Sequence, residues 1–173
     1  RQIPSLYEQF YLLVKRMKTK KSGYLIIDLR NNGGGMTPLI NPLLFVLYGD
    51  HYLNFDFNAQ YNTRISKLFL KKRGFNSIQD YNRAMNGNYR SGELRKSTFG
   101  NYGNGMPLSV KKARIKTGYF GFGAEYIEKM TTGPAFRPKI VVLTSPKTYS
   151  AAFHFTWFLT RLGRTTVVGV ASR

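Results

Sequence analysis

The sequence predicts an α/β fold built on a parallel sheet, and three observations carry that expectation. Ile140, Val141, Val142 and Leu143 form an unbroken apolar, β-branched run of the kind found in strands covered on both faces. Tyr24, Leu25, Ile26 and Ile27, ahead of Asp28 and Leu29, form a second. Each run breaks into a special turn and then a helical pattern, so both turns are expected at the same edge of the sheet, where open α/β folds bind ligands.

The later joint organises the chain. Thr144, Ser145, Pro146 and Lys147 break the strand; Ala151, Ala152, Phe155, Phe158, Leu159 and Leu162 then recur at three- and four-residue spacings, with Gly163 placed to stop the helix. Ser150 stands at the helix start, in the positive field of its N-terminus and beside the Ala151 N–H, which has no intrahelical acceptor. Two readings fit. Serine at such a site is ordinarily an N-cap; it also has a polarised position and a neighbouring oxyanion donor, as an acyl-transfer nucleophile needs.

The earlier joint runs through Arg30, Asn31 and Asn32 into Gly33, Gly34 and Gly35. Three glycines let the backbone approach a ligand closely and aim successive N–H groups at one spot, which suits a phosphate or an oxyanion. Alone they read as a flexible turn. Neither G-x-x-x-x-G-K-[ST] nor G-x-G-x-x-G is present, so no nucleotide cofactor is expected, and no other cofactor is implied.

Elsewhere, Ile3, Leu6, Tyr7, Phe10, Leu13, Val14 and Met17 share one face of a helix that ends in Lys15, Arg16, Lys18, Lys20 and Lys21, cations suited to its negative end. Thr37-Pro38 and Asn41-Pro42 each read as a cap followed by a first helical position, the helix continuing to a stop at Gly49. Leu53, Phe55, Phe57, Ala59 and Tyr61 alternate with Asn54, Asp56, Asn58 and Gln60, which predicts a half-buried strand. Short helices are expected over 65–70 and 77–85, the second capped by Ser77 with Asp80 three residues on. Residues 87–123 shift to glycine, asparagine, aromatic and basic types, among them Arg90, Arg95, Lys96, Lys111, Lys112, Arg114 and Lys116. Such interleaving can bind single-stranded nucleic acid; with no repeat and no RNP-like motif, a surface insertion or a lid is the better reading. One α/β core over 1–173 is therefore expected, interrupted by a long glycine-rich, aromatic and basic insertion at about 62–133.

Lys and Arg number 27 against 8 Asp and Glu, a formal charge of +19. That suits an acidic peptide or an anionic envelope surface as partner; nucleic acid is disfavoured because the excess is spread along the chain. An aromatic content of 15% marks a folding chain rather than a basic tail. With no cysteine, disulfides and thiol chemistry are excluded from this stretch. His51 and His154 stand far apart without a carboxylate cluster, so no metal site is expected. Arg1 in place of an initiating methionine, and a strand-like run ending just before Arg173, read as cuts from a longer chain.

Together the joints resemble the tail-specific or C-terminal-processing serine peptidases, relatives of the tricorn protease core. Leu25-Ile-Ile-Asp-Leu-Arg-Asn-Asn-Gly-Gly-Gly is similar to that family's strand and glycine turn, D-x-R-x-N-x-G-G. Val141-Val-Leu-Thr-Ser-Pro-Lys-Thr-Tyr-Ser-Ala-Ala is similar to its nucleophile segment, and Thr166-Val-Val-Gly-Val to the strand that follows. The three come in the family's order; residues 50–138 resemble nothing in it.

The resemblance implies a crotonase/ClpP-like core of ββα units and a serine peptidase that hydrolyses peptide bonds through an acyl-enzyme on Ser150. The oxyanion hole would use the backbone N–H of Ala151 and that of Gly34 or Gly35. Asp28 and Arg30 match the motif and are expected to pair and shape the turn. A polypeptide substrate and a periplasmic or cell-surface location are implied as well. Many members take a lysine base about two dozen residues after the serine, which would fall just past Arg173; others use a histidine upstream and an acid downstream. Neither is assignable in this chain. His154, one helical turn after Ser150, is the base candidate inside it, against a plainer reading in which its ring packs along the helix. A non-catalytic relative that binds peptides or glycans and a basic nucleic-acid-binding protein are the rival readings.

Overall fold

A computed structural model describes residues 5–57, 59–99, 105–117 and 123–170. In chain order it contains α1 (Leu6–Thr19), β1 (Tyr24–Asp28), a 3-10 turn (Thr37–Leu39), α2 (Ile40–Tyr48), α3 (Asp50–Asn54), β2 (Ala59–Arg64), α4 (Lys67–Lys72) and α5 (Ile78–Met85). There follow β3 (Leu94–Phe99), α6 (Leu108–Lys116), α7 (Ala124–Thr131), β4 (Lys139–Thr144), α8 (Ala151–Leu162) and β5 (Thr165–Gly169). The chain divides into two compact units, Arg1–Phe55 with Tyr102–Arg173, and Asp56–Asn101.

In the first unit β1, β4 and β5 form a parallel sheet with β4 in the middle, as the two apolar runs require. Leu25 pairs with Ile140 and Ile27 with Val142, which puts Leu25, Ile140 and Val142 on one buried face. The expectation of burial on both faces does not hold among the described residues. Tyr24 and Ile26 on the opposite face are 63% and 65% exposed, and Val168 is 51% exposed. An unbroken apolar run specifies a strand without specifying how many of its faces are covered.

Two helices frame the core. All six apolar positions of α8 read from the sequence are buried, and Gly163 ends the helix at φ 83. Eight of the nine residues of α2 are buried, which makes it the central helix of the unit. Its C-terminus is tied to the α8–β5 turn: Tyr48 Oη donates to Gly163 O at 2.5 Å, Arg164 lies over the Tyr48 ring at 4.5 Å, and Arg164 Nη2 donates to Leu47 O at 2.7 Å. Burial raises the Tyr48 pKa and so keeps the phenol protonated to donate. On α1, Tyr7, Val14 and Met17 are buried, while Leu6 and Leu13 stay exposed; Ile3 lies outside the described residues.

Several local expectations change. Residues 53–57 are not a strand: Asp50–Asn54 is helical and the strand starts at Ala59, with Asn58 outside the described residues. Tyr52 and Leu53, adjacent in sequence, are both buried, and Tyr52 Oη donates to Asn41 Oδ1 at 2.9 Å. Tertiary packing has overridden the alternating pattern. Asn41 therefore serves Tyr52 and is not a cap; the chain enters α2 through the 3-10 turn at Thr37–Leu39.

The span 87–123 is more regular than a loop, since it holds β3 and α6; residues 100–104 and 118–122 lie outside the described residues. Of the expected insertion at about 62–133, α6 and α7 group with the first unit. Three of its lysines are engaged within that unit. Lys111 Nζ donates to Leu53 O at 2.9 Å, Lys112 pairs with Asp50 at 2.7 Å, and Lys116 meets Glu128 at 3.4 Å.

The second unit is an antiparallel β2–β3 ribbon with α4 and α5 around Ile65, Leu70 and Tyr81. Both helices begin at a capping serine, Ser77 as expected and Ser66 in place of the expected start at 65. Ser66 Oγ accepts Phe69 N–H at 3.1 Å and Ser77 Oγ accepts Asp80 N–H at 3.0 Å. Among the described residues no helix is long and apolar enough to cross a membrane.

Candidate active site

The pairing of β1 with β4 continues past both strands into the turns. Leu29 N–H donates to Leu143 O at 2.9 Å, Thr148 Oγ1 to Leu29 O at 2.8 Å, Ser145 Oγ to Arg30 O, and Tyr149 N–H to Asn32 O at 3.1 Å. Thr148 is fully buried and also accepts Ser145 N–H at 3.0 Å, so one hydroxyl serves both turns. The glycine turn is thereby laced to the serine turn along its length.

At the start of the glycine turn Asp28 and Arg30 pair as expected. Arg30 N–H and Nε donate to Asp28 Oδ1, each at 3.0 Å, and Nη2 to Oδ2 at 2.7 Å. These bonds hold the Asp28 pKa at about 2, although both side chains face solvent. Two residues on, Asn32 Oδ1 accepts Gly34 N–H at 2.9 Å, an Asx turn.

Gly34 is at φ +101, and a Cβ there would lie 2.6 Å from Tyr149 O, 2.7 Å from Ser150 Cβ and 2.9 Å from Ala151 N. Only glycine fits. Gly35, at φ +149, has open space where a Cβ would stand. Asn32 occupies the Gly34 amide, whereas Gly35 N–H, the next along the turn, donates to no group among the described residues, as is also true of Gly33 N–H.

Ser150 is unlike the two capping serines. Ser66 and Ser77 have extended backbones, φ −107 and −146, and both cap through Oγ. Ser150 has φ 53 and ψ −121, and its side chain makes no capping hydrogen bond. A non-glycine residue in that conformation stores roughly 1–3 kcal/mol of strain, which the surrounding structure must hold. The ordinary cap reading thus lacks its hydrogen bond, while the hydroxyl sits on a strained turn beside Ala151 N–H, the first amide of α8.

His154 reaches Ser150 through the backbone, its N–H donating to Ser150 O at 3.0 Å. Its Nδ1 lies 3.3 Å from Thr37 Oγ1, and burial lowers its pKa, so the imidazole is neutral at pH 7. His51, on α3, packs with Tyr48 and Phe55 at 6.4 and 5.3 Å between ring centres. Among the described residues no group of three His, Cys, Asp or Glu could hold a metal ion.

A cavity of about 370 Å³ adjoins the two turns, lined by Gly34, Gly35 and Ala151 and by apolar residues of α1, β1, α2 and α8. The structure thus brings Ser150, Gly34, Gly35 and Ala151 together. The roles of Thr148 and Asn32 were not read from the sequence. Asn32 had a usable signal, an Asx residue two before a glycine; Thr148 had none, because its acceptor lies in the other turn.

The model of peptidase family S41 matches residues 2–173. No curated protein and no solved structure matches the chain.

Proposed function

Since the chain belongs to peptidase family S41, whose substrates are polypeptides, we propose that it hydrolyses peptide bonds through an acyl-enzyme on Ser150. The observation that carries this reading is the Ser150 backbone, held at positive φ with an uncapped hydroxyl against a glycine that tolerates no side chain. Ser150 Oγ attacks the scissile carbonyl carbon as a general base takes its proton. Negative charge gathers on the carbonyl oxygen, which Ala151 N–H and Gly35 N–H bind. Gly35 is preferred to Gly34 because Asn32 already holds the Gly34 amide. The tetrahedral species collapses, the amine leaves with a proton, and water releases the acyl group from Ser150 in a second attack through the same oxyanion site.

The same proposal takes the core to be crotonase/ClpP-like. Its support is the parallel pairing of two strand-turn-helix units whose turns share one edge. It also takes the enzyme to be of the C-terminal-processing type, exported to the periplasm or cell surface, on the strength of the motif resemblance. The charge of +19 suits an acidic polypeptide or an anionic envelope. The family match favours neither rival reading.

The test is fluorophosphonate labelling of the wild type and Ser150→Ala, with peptide mapping, alongside hydrolysis of an unfolded protein substrate. An adduct on Ser150 and proteolysis, both lost in the variant, are expected. A folded wild type showing neither overturns the proposal.

A further inference from the structure

The cavity beside the glycine turn carries an inference about substrate choice that rests on the acyl-enzyme reading. We infer that it receives the side chain of the substrate residue whose carbonyl is attacked, and that it selects a large apolar residue such as Leu, Met or Phe.

Position comes first. Gly35 and Ala151, whose amides would bind the oxyanion, are both among the residues that line the cavity, Gly35 necessarily through its main chain. In any acyl-enzyme the side chain of the acyl residue branches from the atom next to the reacting carbonyl, so it must leave within a few bond lengths of those amides. The cavity is the space at that point.

Chemistry comes second. Phe10, Leu13, Leu25, Met36, Leu43 and Phe155 line it, and among the described lining residues Asn32 alone has a polar side chain. The Asn32 oxygen is already occupied by Gly34 N–H. A charged substrate side chain would lose its hydration there and meet no opposite charge among the described lining residues, which is costly. A large apolar side chain gains by leaving water, and alanine leaves most of the space unused.

The rim gives an independent sign. Leu6, Leu13 and Met36, all lining residues, are 52%, 41% and 49% exposed. Large apolar side chains gathered at the mouth of a cavity mark a binding surface more often than chance exposure does. Met36 follows Gly35 directly, and its unbranched side chain can adjust to occupants of different shape. It is the residue we assign to specificity.

The test uses product-like peptides, so that binding is read without turnover. Acetylated tetrapeptides identical except for a last residue of Leu, Phe, Ala, Glu or Lys are titrated calorimetrically into Ser150→Ala in the intact protein. Leu and Phe peptides are expected to bind about tenfold or more tightly than Ala, Glu or Lys peptides. Met36→Glu, at a half-exposed site that should still fold, is expected to remove most of that advantage, and Leu13→Glu on α1 is the second variant. Equal binding across the series, no binding at millimolar peptide, a preference for charged ends, or an undiminished Leu preference in both variants overturns the inference. Fluorophosphonate labelling of the wild type separates this from the underlying reading. A Ser150 adduct with a flat peptide series sinks the pocket alone; an apolar preference without an adduct sinks the nucleophile and leaves a site for apolar peptide ends.

Discussion

Gly34 and Ser150, far apart in the chain, press together so closely that a Cβ on Gly34 would stand 2.7 Å from the Ser150 Cβ. That contact sets the strongest contrast between neighbouring glycines. Gly34→Ala meets the backbone of Tyr149 and Ala151 as well as a positive φ, and is expected to cost about 2–4 kcal/mol and to abolish Ser150 labelling. Gly35→Ala meets no atom within 4 Å and is expected to cost about 1–2 kcal/mol from its backbone conformation alone. Denaturant midpoints and labelling rates of the two variants check this; equal losses would refute the packing argument.

The strain at Ser150 has its own signature. Ser150→Gly removes the hydroxyl and relaxes the positive φ, whereas Ser150→Ala removes the hydroxyl alone. Ser150→Gly is expected to be about 1 kcal/mol more stable than Ser150→Ala, the unfolded-chain entropy of glycine offsetting part of the gain. Thermal unfolding of the pair measures it, and a less stable Ser150→Gly would contradict it.

Thr148→Val keeps shape and burial but strips the hydroxyl from between Leu29 O and Ser145 N–H. Leaving those groups unsatisfied is expected to cost about 1–3 kcal/mol. Because the same bonds lace the two turns, Ser150 labelling should slow as well. A variant that is destabilised yet labels at the wild-type rate would show that the turns are aligned by other contacts.

Asp28 offers a pH test with a defined sign. Its folded pKa of about 2 lies below the roughly 3.9 of a free Asp. Its contribution is therefore fully present above pH 4 and is lost as pH falls towards 2. The stability gap between wild type and Asp28→Asn should close over that window, and should shrink in high salt because the pair is exposed. A gap independent of pH would assign the effect to something other than the carboxylate.

His154 is expected to titrate below its ordinary value in an NMR titration, because burial disfavours the imidazolium. With the folded pKa lowered, stability should fall as pH drops below about 6.5. With its Nδ1 beside Thr37 Oγ1, His154→Gln should change Ser150 labelling only a few-fold. A loss of labelling near that of Ser150→Ala would make His154 the base.

Patterns whose physics is local were legible. The periodic face of α8, the stops at Gly49 and Gly163, and the cap at Ser77 each depend on a few neighbouring residues and turned out as their chemistry demands, whereas the cap at Ser66 became legible only in the structure. The strand expected over 53–61 begins only at Ala59, because Tyr52 and Leu53 answer to a tertiary surface that alternation cannot report. The same limit applies to the sheet: an apolar run cannot say that Tyr24 and Ile26 are left open to solvent.

By itself the sequence determined the two strand-turn-helix joints, their order, and the residue types at each: three glycines in one, a serine heading a helix in the other. What the tertiary structure decided was their meeting. Parallel pairing of β1 with β4 puts Gly34 against Ser150, lets Thr148 lace the turns, and opens an apolar cavity beside both. The backbone of Ser150 belongs to the second class too. A positive φ at a non-glycine residue is unfavourable locally and persists only because long-range contacts outweigh it.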